Sequence, residues 1–216
     1  MIVNERIRDY ICSLERSRGV LDEIEKEARE AGVPIIKKET AAFLETMTAA
    51  ANPSAILEVG TAVGYSALLM SRIMPKACEI TTIETDRDRI QKAAENLKKA
   101  GESRIHLMEG DAGKVLAALE GPYDLIFMDA AKGQYIHWLP DILRVLAPGG
   151  ILLSDNVLQD GRIVESRFAV ERRDRTIHAR IREYLFTLTH HPELTSSIVP
   201  VGDGVAVSVK KRERQK

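Results

Sequence analysis

The sequence predicts an α/β protein: a doubly wound, mostly parallel sheet with helices on both faces and an antiparallel hairpin at its C-terminal end. Three observations predict it. Apolar β-rich runs of five or six residues alternate with helical stretches of roughly ten to fifteen, the pattern of βαβ units. The runs at 55–59 and 123–128 are mostly apolar, as strands covered on both faces must be. The last two β-like runs are joined only by Gly202-Asp203-Gly204, a turn tight enough to pair them antiparallel at a sheet edge.

Taken in order, residues 5–17 and 21–31 have helical spacing and many charges; Gly19 separates them and Gly32-Val33-Pro34 stops the second. A third helix is expected over 38–50, with Phe43, Leu44 and Met47 inward and Asn52-Pro53 ending it. Residues 1–50 thus form a helical extension to a single domain spanning 1–216. Strands are expected at 55–59, 79–84, 104–108, 123–128 and 150–154. Helices follow them at about 66–70, 86–100, 112–119 and up to about 146. A charged helix over 170–188 precedes the runs at 196–200 and 205–209, and residues 210–216 form a basic tail.

Composition narrows the class. With 44% hydrophobic residues the 216-residue chain can bury a sizeable core. Lys plus Arg is 31 against 32 Asp plus Glu, so overall charge predicts no polyanion partner, although a local basic surface is allowed: Arg172, Arg173, Arg175, Arg180 and Arg182 cluster between Glu171 and Glu183 against three acids. Cys12 and Cys78 are far apart and lack metal or redox spacing, and no apolar run approaches the roughly 18 residues of a membrane span. The charged N-terminus, Met1-Ile2-Val3-Asn4-Glu5-Arg6, has no secretory apolar region, which predicts a soluble cytoplasmic protein.

The chemistry is expected beyond the carboxyl ends of the strands, where open α/β sheets bind ligands. The first strand ends in Glu58-Val59-Gly60-Thr61-Ala62-Val63-Gly64-Tyr65-Ser66, a glycine-containing turn in which the backbone can approach a ligand. Ala62 stands where a dinucleotide fingerprint has its second glycine. The second strand ends in Glu84, placed to accept the hydroxyls of a ribose, and the third in Gly110-Asp111-Ala112, placed to meet an adenine edge. Without a P-loop lysine, these ends fit an uncharged-tail nucleoside such as S-adenosylmethionine better than a triphosphate. The fourth and fifth strands end in Asp129-Ala130-Ala131-Lys132 and Asp155-Asn156. Asp129, Asp155 and Asn156 would make an all-oxygen set suited to a hard divalent cation; Asp155 and Asn156 could instead cap the next helix.

These segments resemble the cation-dependent, S-adenosylmethionine-dependent O-methyltransferases of the catechol and caffeoyl-CoA type, from about Val33 onward. Val33-Pro34-Ile35-Ile36, Asp129 through Tyr135, Asp155-Asn156-Val157-Leu158 and Pro200 through Gly204 are similar to the branch that methylates 5-hydroxyuridine in bacterial tRNA. The resemblance implies a Rossmann-like class I methyltransferase sheet. It also implies conversion of 5-hydroxyuridine to 5-methoxyuridine at the tRNA wobble position, with a small catechol or phenolic acceptor as the alternative.

It assigns Glu84 to the ribose, and Asp111 and Ala112 to the adenine. Gly60 and Ser66 fall to the methionine portion, Glu58 would be a further cofactor-binding residue, and Ile36 would close over the cofactor. Asp129, Asp155 and Asn156 would hold Mg²⁺, Mn²⁺ or Ca²⁺, with Asp129 also near the cofactor amino group and Lys132 as the general base. A tRNA anticodon stem-loop would meet Arg172, Arg173, Arg175 and the basic tail, with Tyr135 or Trp138 available to stack on a base. A homodimer would form through the N-terminal helices.

Overall fold

The structure is a computed structural model that describes residues 4–166 and 168–212. Seven strands form one sheet: β1 (Ala55–Val59), β2 (Glu79–Glu84), β3 (Ile105–Glu109), β4 (Tyr123–Met128), β5 (Leu146–Ser154), β6 (Leu194–Val199) and β7 (Val205–Lys210). Their order is β3-β2-β1-β4-β5-β7-β6. The first five pair in parallel; β7 lies antiparallel to both β5 and β6. The chain reverses its winding between β1 and β4, so the switch point lies at the carboxyl ends of these two strands.

Side-chain alternation explains the layers. On β4, Leu125 and Phe127 face one core, built with α2 (Val20–Glu30), α3 (Lys38–Ala51), α4 (Tyr65–Ser71) and α5 (Arg87–Ala100). Ile126 and Met128 face the other, built with α6 (Ala112–Ala118), α7 (Tyr135–Val145) and α8 (Arg175–His190). Burying both faces accounts for the unbroken apolar runs.

Strand β5 begins at Leu146 instead of 150 and β6 at Leu194 instead of 196, and three further differences from the sequence expectation have identifiable causes. Helix α1 (Glu5–Ser13) ends four residues early. Beyond it the chain turns inward to bury Arg18 between Glu15 and Glu45, each 3.0 Å from its guanidinium. Helix α8 begins at Arg175, not 170. Residues Gln159–Val164 form 3-10 turns broken by left-handed Asp160 and Gly161, and the buried Val170 offers its carbonyl to Arg175 Nε at 3.1 Å. Lys210 belongs to β7 instead of a tail, its ammonium donating to the carbonyls of Leu143 and Leu146 at 2.7 and 3.0 Å. Residues 213–216 of the expected tail lie outside the described residues, as do residues 1–3. Among the described residues no helix is long and apolar enough to cross a membrane.

Candidate active site

The glycine loop after β1 is shaped by contact with β4. Gly60 has φ +102°, and a Cβ there would stand 2.1 Å from the Asp129 carbonyl oxygen. Only glycine therefore lets the two strand ends close together. The loop hangs on β2, where Gly60 N and Thr61 N both donate to the Ile83 carbonyl at 3.0 and 3.1 Å. Glu84 then fixes its outer turn: one carboxylate oxygen accepts from Ala62 N at 2.9 Å, the other from Thr85 N and Asp86 N at 2.8 and 3.0 Å.

A cavity of about 820 Å³ opens over this switch point. It brings together Gly60, Glu84, Asp111, Ala112, Asp129 and Lys132, which come from four different strand ends. Asp111 has a second task, accepting from Lys114 N at 3.1 Å as the N-cap of α6. Of the other cofactor residues expected, Ile36 is buried and Pro34 reaches the cavity in its place.

Glu58 and Ser66 lie beneath the loop and do not line the cavity. Glu58 is fully buried, and accepts from Ser66 Oγ at 2.5 Å and from Thr82 Oγ1. Burial pushes its carboxyl up to about 7 against the opposing pull of those two hydroxyls. Their geometry supports the loop from below.

Trp138 and Arg89 also line the cavity, and sequence alone did not single out Arg89. A Cβ on Gly113 would lie 3.1 Å from Trp138 Nε1, so the indole closes over the first turn of α6. The lone tryptophan three positions after Tyr135, on a helix that follows a polar strand end, was the available signal. Tyr135, by contrast, cannot stack on a substrate. It is fully buried, its hydroxyl donates to the Met128 carbonyl and accepts from Ala130 N, both at 3.1 Å, and it packs edge-on against Tyr184.

The carboxylates at the ends of β4 and β5 follow paired residues, Met128 beside Ser154. Asp155 is 5% exposed and its Oδ1 is buried without a hydrogen-bond partner. Burial, then the charge of Asp129, holds its carboxyl well above the usual carboxylate range. An orphaned buried carboxylate oxygen costs several kcal/mol unless something cationic meets it. Lys132 Nζ is 3.4 Å from Asp129 Oδ1. Neither Asp155 nor Asn156 caps a helix, because the next helical turn has Leu158 at its start. Among the described residues no cluster of three His, Cys, Asp or Glu side chains is placed to hold a metal ion; the set here is two carboxylates and an amide.

The arginines expected to meet RNA are partly committed to the fold. Arg180 and Arg182 donate to the carbonyls of Gly133 and Ile163 at 3.1 and 3.0 Å, and Arg175 to Val170 as above. Arg173 pairs with Glu171 at 3.0 Å on the surface, and Arg172 is exposed.

The doubly wound sheet, its antiparallel end and the polar cavity at its switch point fit the class of the S-adenosylmethionine-dependent methyltransferases. A sequence model of the O-methyltransferase family matches residues 13–211, and the chain belongs to that family. The catechol O-methyltransferase of Niastella koreensis is 34% identical over 143 residues, covering 63% of this chain and 65% of that enzyme; this chain thus spans just under two thirds of its length. The caffeoyl-CoA O-methyltransferase of Populus kitakamiensis is 27% identical over 96% of this chain and 94% of its own. Among solved structures, the S-adenosylhomocysteine-bound methyltransferase of Podospora anserina superposes with a TM-score of 0.84 at 28% identity, covering 97% of each chain. The O-methyltransferase of Bacillus cereus in complex with S-adenosylhomocysteine shares the fold, with a TM-score of 0.85 over 95% of this chain and 97% of its own, at 21% identity.

Proposed function

We propose that this chain transfers a methyl group from S-adenosylmethionine, with help from a divalent cation, to an acceptor bearing two adjacent oxygens, and that the acceptor is a small catechol or related phenolic. The observation that carries the reading is the orphaned, buried Asp155 oxygen in a carboxyl repelled by Asp129, which itself lines the cavity at the switch point. The catechol and caffeoyl-CoA enzymes among the relatives support the acceptor class.

In this reading Glu84 holds the ribose, Asp111 and Ala112 meet the adenine with Trp138 over them, and Gly60 leaves room for the methionine portion. Asp129, Asp155 and Asn156 would hold Mg²⁺, Mn²⁺ or Ca²⁺, which when bound supplies Lewis acidity favouring the ionised form of an acceptor hydroxyl. The Lys132 ammonium beside Asp129 favours the same anion; to take the proton itself, Lys132 would have to enter the reaction neutral. The acceptor oxygen then bonds to the methyl carbon as the carbon–sulfur bond breaks, leaving S-adenosylhomocysteine. Holding the reacting atoms about 3 Å apart supplies much of the rate.

One observation favours the second reading, 5-hydroxyuridine at the tRNA wobble position, whose hydroxyl and C4 carbonyl offer the same adjacent oxygens. Val164 and Phe168 are 82% and 87% exposed close in sequence to Arg172 and Arg173, an apolar and basic rim where an unstacked base and its phosphates could rest. Against it, Glu171 and Asp174 already engage Arg173, and the acids Asp160, Glu165, Glu171 and Asp174 in the cavity next to Asn156 outnumber Arg162, Arg173 and Lys37, which pairs with Asp160.

A methylation assay with labelled cofactor and Mg²⁺, offering a catechol panel against anticodon stem-loop RNA bearing 5-hydroxyuridine, separates the two. Turnover of catechols that stops on chelation and returns with Mg²⁺ is expected. Turnover of the RNA alone would reverse the order of the readings, and turnover unaffected by chelator would remove the cation.

We also propose self-association. Ile7, Tyr10, Ile11 and Leu14 make an outward stripe on and just after α1, with exposures from 42% to 65%. Light scattering should give a dimer that Ile11→Glu dissociates. A monomer at every concentration tested would reject it.

A further inference from the structure

Helix α8 presents a buried group that the chemistry above leaves unused. His178 is 3% exposed, and its Nε2 is buried with no hydrogen-bond partner among the described residues. Buried polar atoms are normally paired, so a polar group that reaches this nitrogen is favoured there. His178 lines a second cavity, of about 390 Å³, whose wall also includes Asn156. The cavity is framed by the 3-10 segment Gln159–Val164 on one side and α8 on the other.

The position of α8 is fixed against the reaction centre. Arg180 holds the Gly133 carbonyl, and Ile177 lies 3.5 Å from where a Gly133 Cβ would stand, one residue from Lys132. The imidazole therefore belongs to a rigid element anchored beside the transfer site, and it lines the same space as a residue proposed to hold the cation.

We propose that His178 is a specificity-determining residue: Nε2 makes a hydrogen bond to a third polar group on the acceptor, distinct from its two adjacent oxygens. The charge of the cavity narrows that group's class. Lys37 pairs with Asp160, and Arg173 with Glu171 and Asp174, which with Arg162 still leaves one acid in excess around Glu165. Among the described residues the wall has no cation in excess to meet an anionic substituent, so a neutral carbonyl, hydroxyl or amide is selected. This inference rests on the proposed function, because it assumes an acceptor seated beside Asn156.

The test measures kcat/KM of the full chain with Mg²⁺ for catechol, protocatechuic aldehyde and protocatechuate. The wild type is expected to prefer the aldehyde over catechol by about tenfold, and protocatechuate to be the poorest of the three. His178→Leu should lower kcat/KM for the aldehyde about tenfold more than for catechol, through KM, without changing the dissociation constant of S-adenosylmethionine. His178→Gln, which carries an amide near the place of Nε2, should keep most of the preference.

An equal loss for aldehyde and catechol, or a loss of cofactor binding in both variants, would make His178 structural and overturn the inference. An unchanged preference in His178→Leu would also overturn it, with catechol turnover leaving the proposed function standing. No turnover of any of the three acceptors by the wild type would defeat that function, and this inference with it.

Discussion

Asp155→Ala is expected to lower kcat by about 10³-fold while the dissociation constant of S-adenosylmethionine changes by no more than about threefold. The magnitude follows from the role. Lewis acidity at a transferring oxygen contributes several kcal/mol, and each 1.36 kcal/mol is about tenfold in rate. The cofactor is spared because Asp155 does not line the nucleoside cavity.

A merely structural aspartate makes the opposite prediction for stability. Removing a side chain whose hydrogen bonds hold the fold would destabilise it, whereas Asp155 Oδ1 has no partner to lose and, among the described residues, only the neighbouring Asn156 backbone amide donates to the carboxyl. Taking out a buried carboxyl that Asp129 already repels should leave the thermal midpoint of the metal-free protein unchanged or raised. Single-turnover kinetics with a catechol, calorimetric titration of the cofactor and a melting curve check the three parts together. A parallel fall in turnover, cofactor affinity and melting temperature would assign Asp155 to the fold and remove the carboxylate pair from the chemistry.

The strand ends could be read from the sequence because strand periodicity and the switch-point rule need no knowledge of packing. Apolar runs at 55–59 and 123–128 give the strands, and the residues after them must project at one edge of the sheet. This places Gly60, Glu84, Asp111, Asp129 and Lys132 along one edge of the sheet, where the folded chain gathers them into one cavity. What could not be read were properties of pairs far apart in the chain.

Ser66 and Thr82 meet on the Glu58 carboxylate, which turns an expected cofactor residue into a support under the loop. Charge counting recorded Arg175, Arg180 and Arg182 as a basic surface, but their carbonyl partners at Val170, Gly133 and Ile163 are set by how α8 docks. His178 sits in a charged helical stretch where every third or fourth residue faces inward, and no local signal distinguishes a satisfied core histidine from an orphaned one. Helix limits failed where burial overrode propensity: the stretch 14–18 is as helix-like as its neighbours, yet it leaves the helix to bring Arg18 to Glu45.

Glu84→Ala should weaken S-adenosylmethionine binding by about 10²-fold, but the size of the loss alone cannot identify the ribose contact. Two hydrogen bonds from ribose hydroxyls to a buried carboxylate are together worth roughly 3 kcal/mol or more, which is that factor. Yet the same carboxylate also accepts from Ala62 N, Thr85 N and Asp86 N, so its removal loosens the loop that shapes the cavity and lowers stability. The two contributions separate in a double-mutant cycle. S-adenosylhomocysteine and its 2′,3′-dideoxy analogue are titrated into wild type and Glu84→Ala. If the carboxylate grips the hydroxyls, removing them costs the wild type 10- to 100-fold or about that range, and costs the variant almost nothing. If Glu84 acts only through the loop, both proteins lose affinity for the dideoxy analogue by the same factor, and the ribose must be held by another group in the cavity.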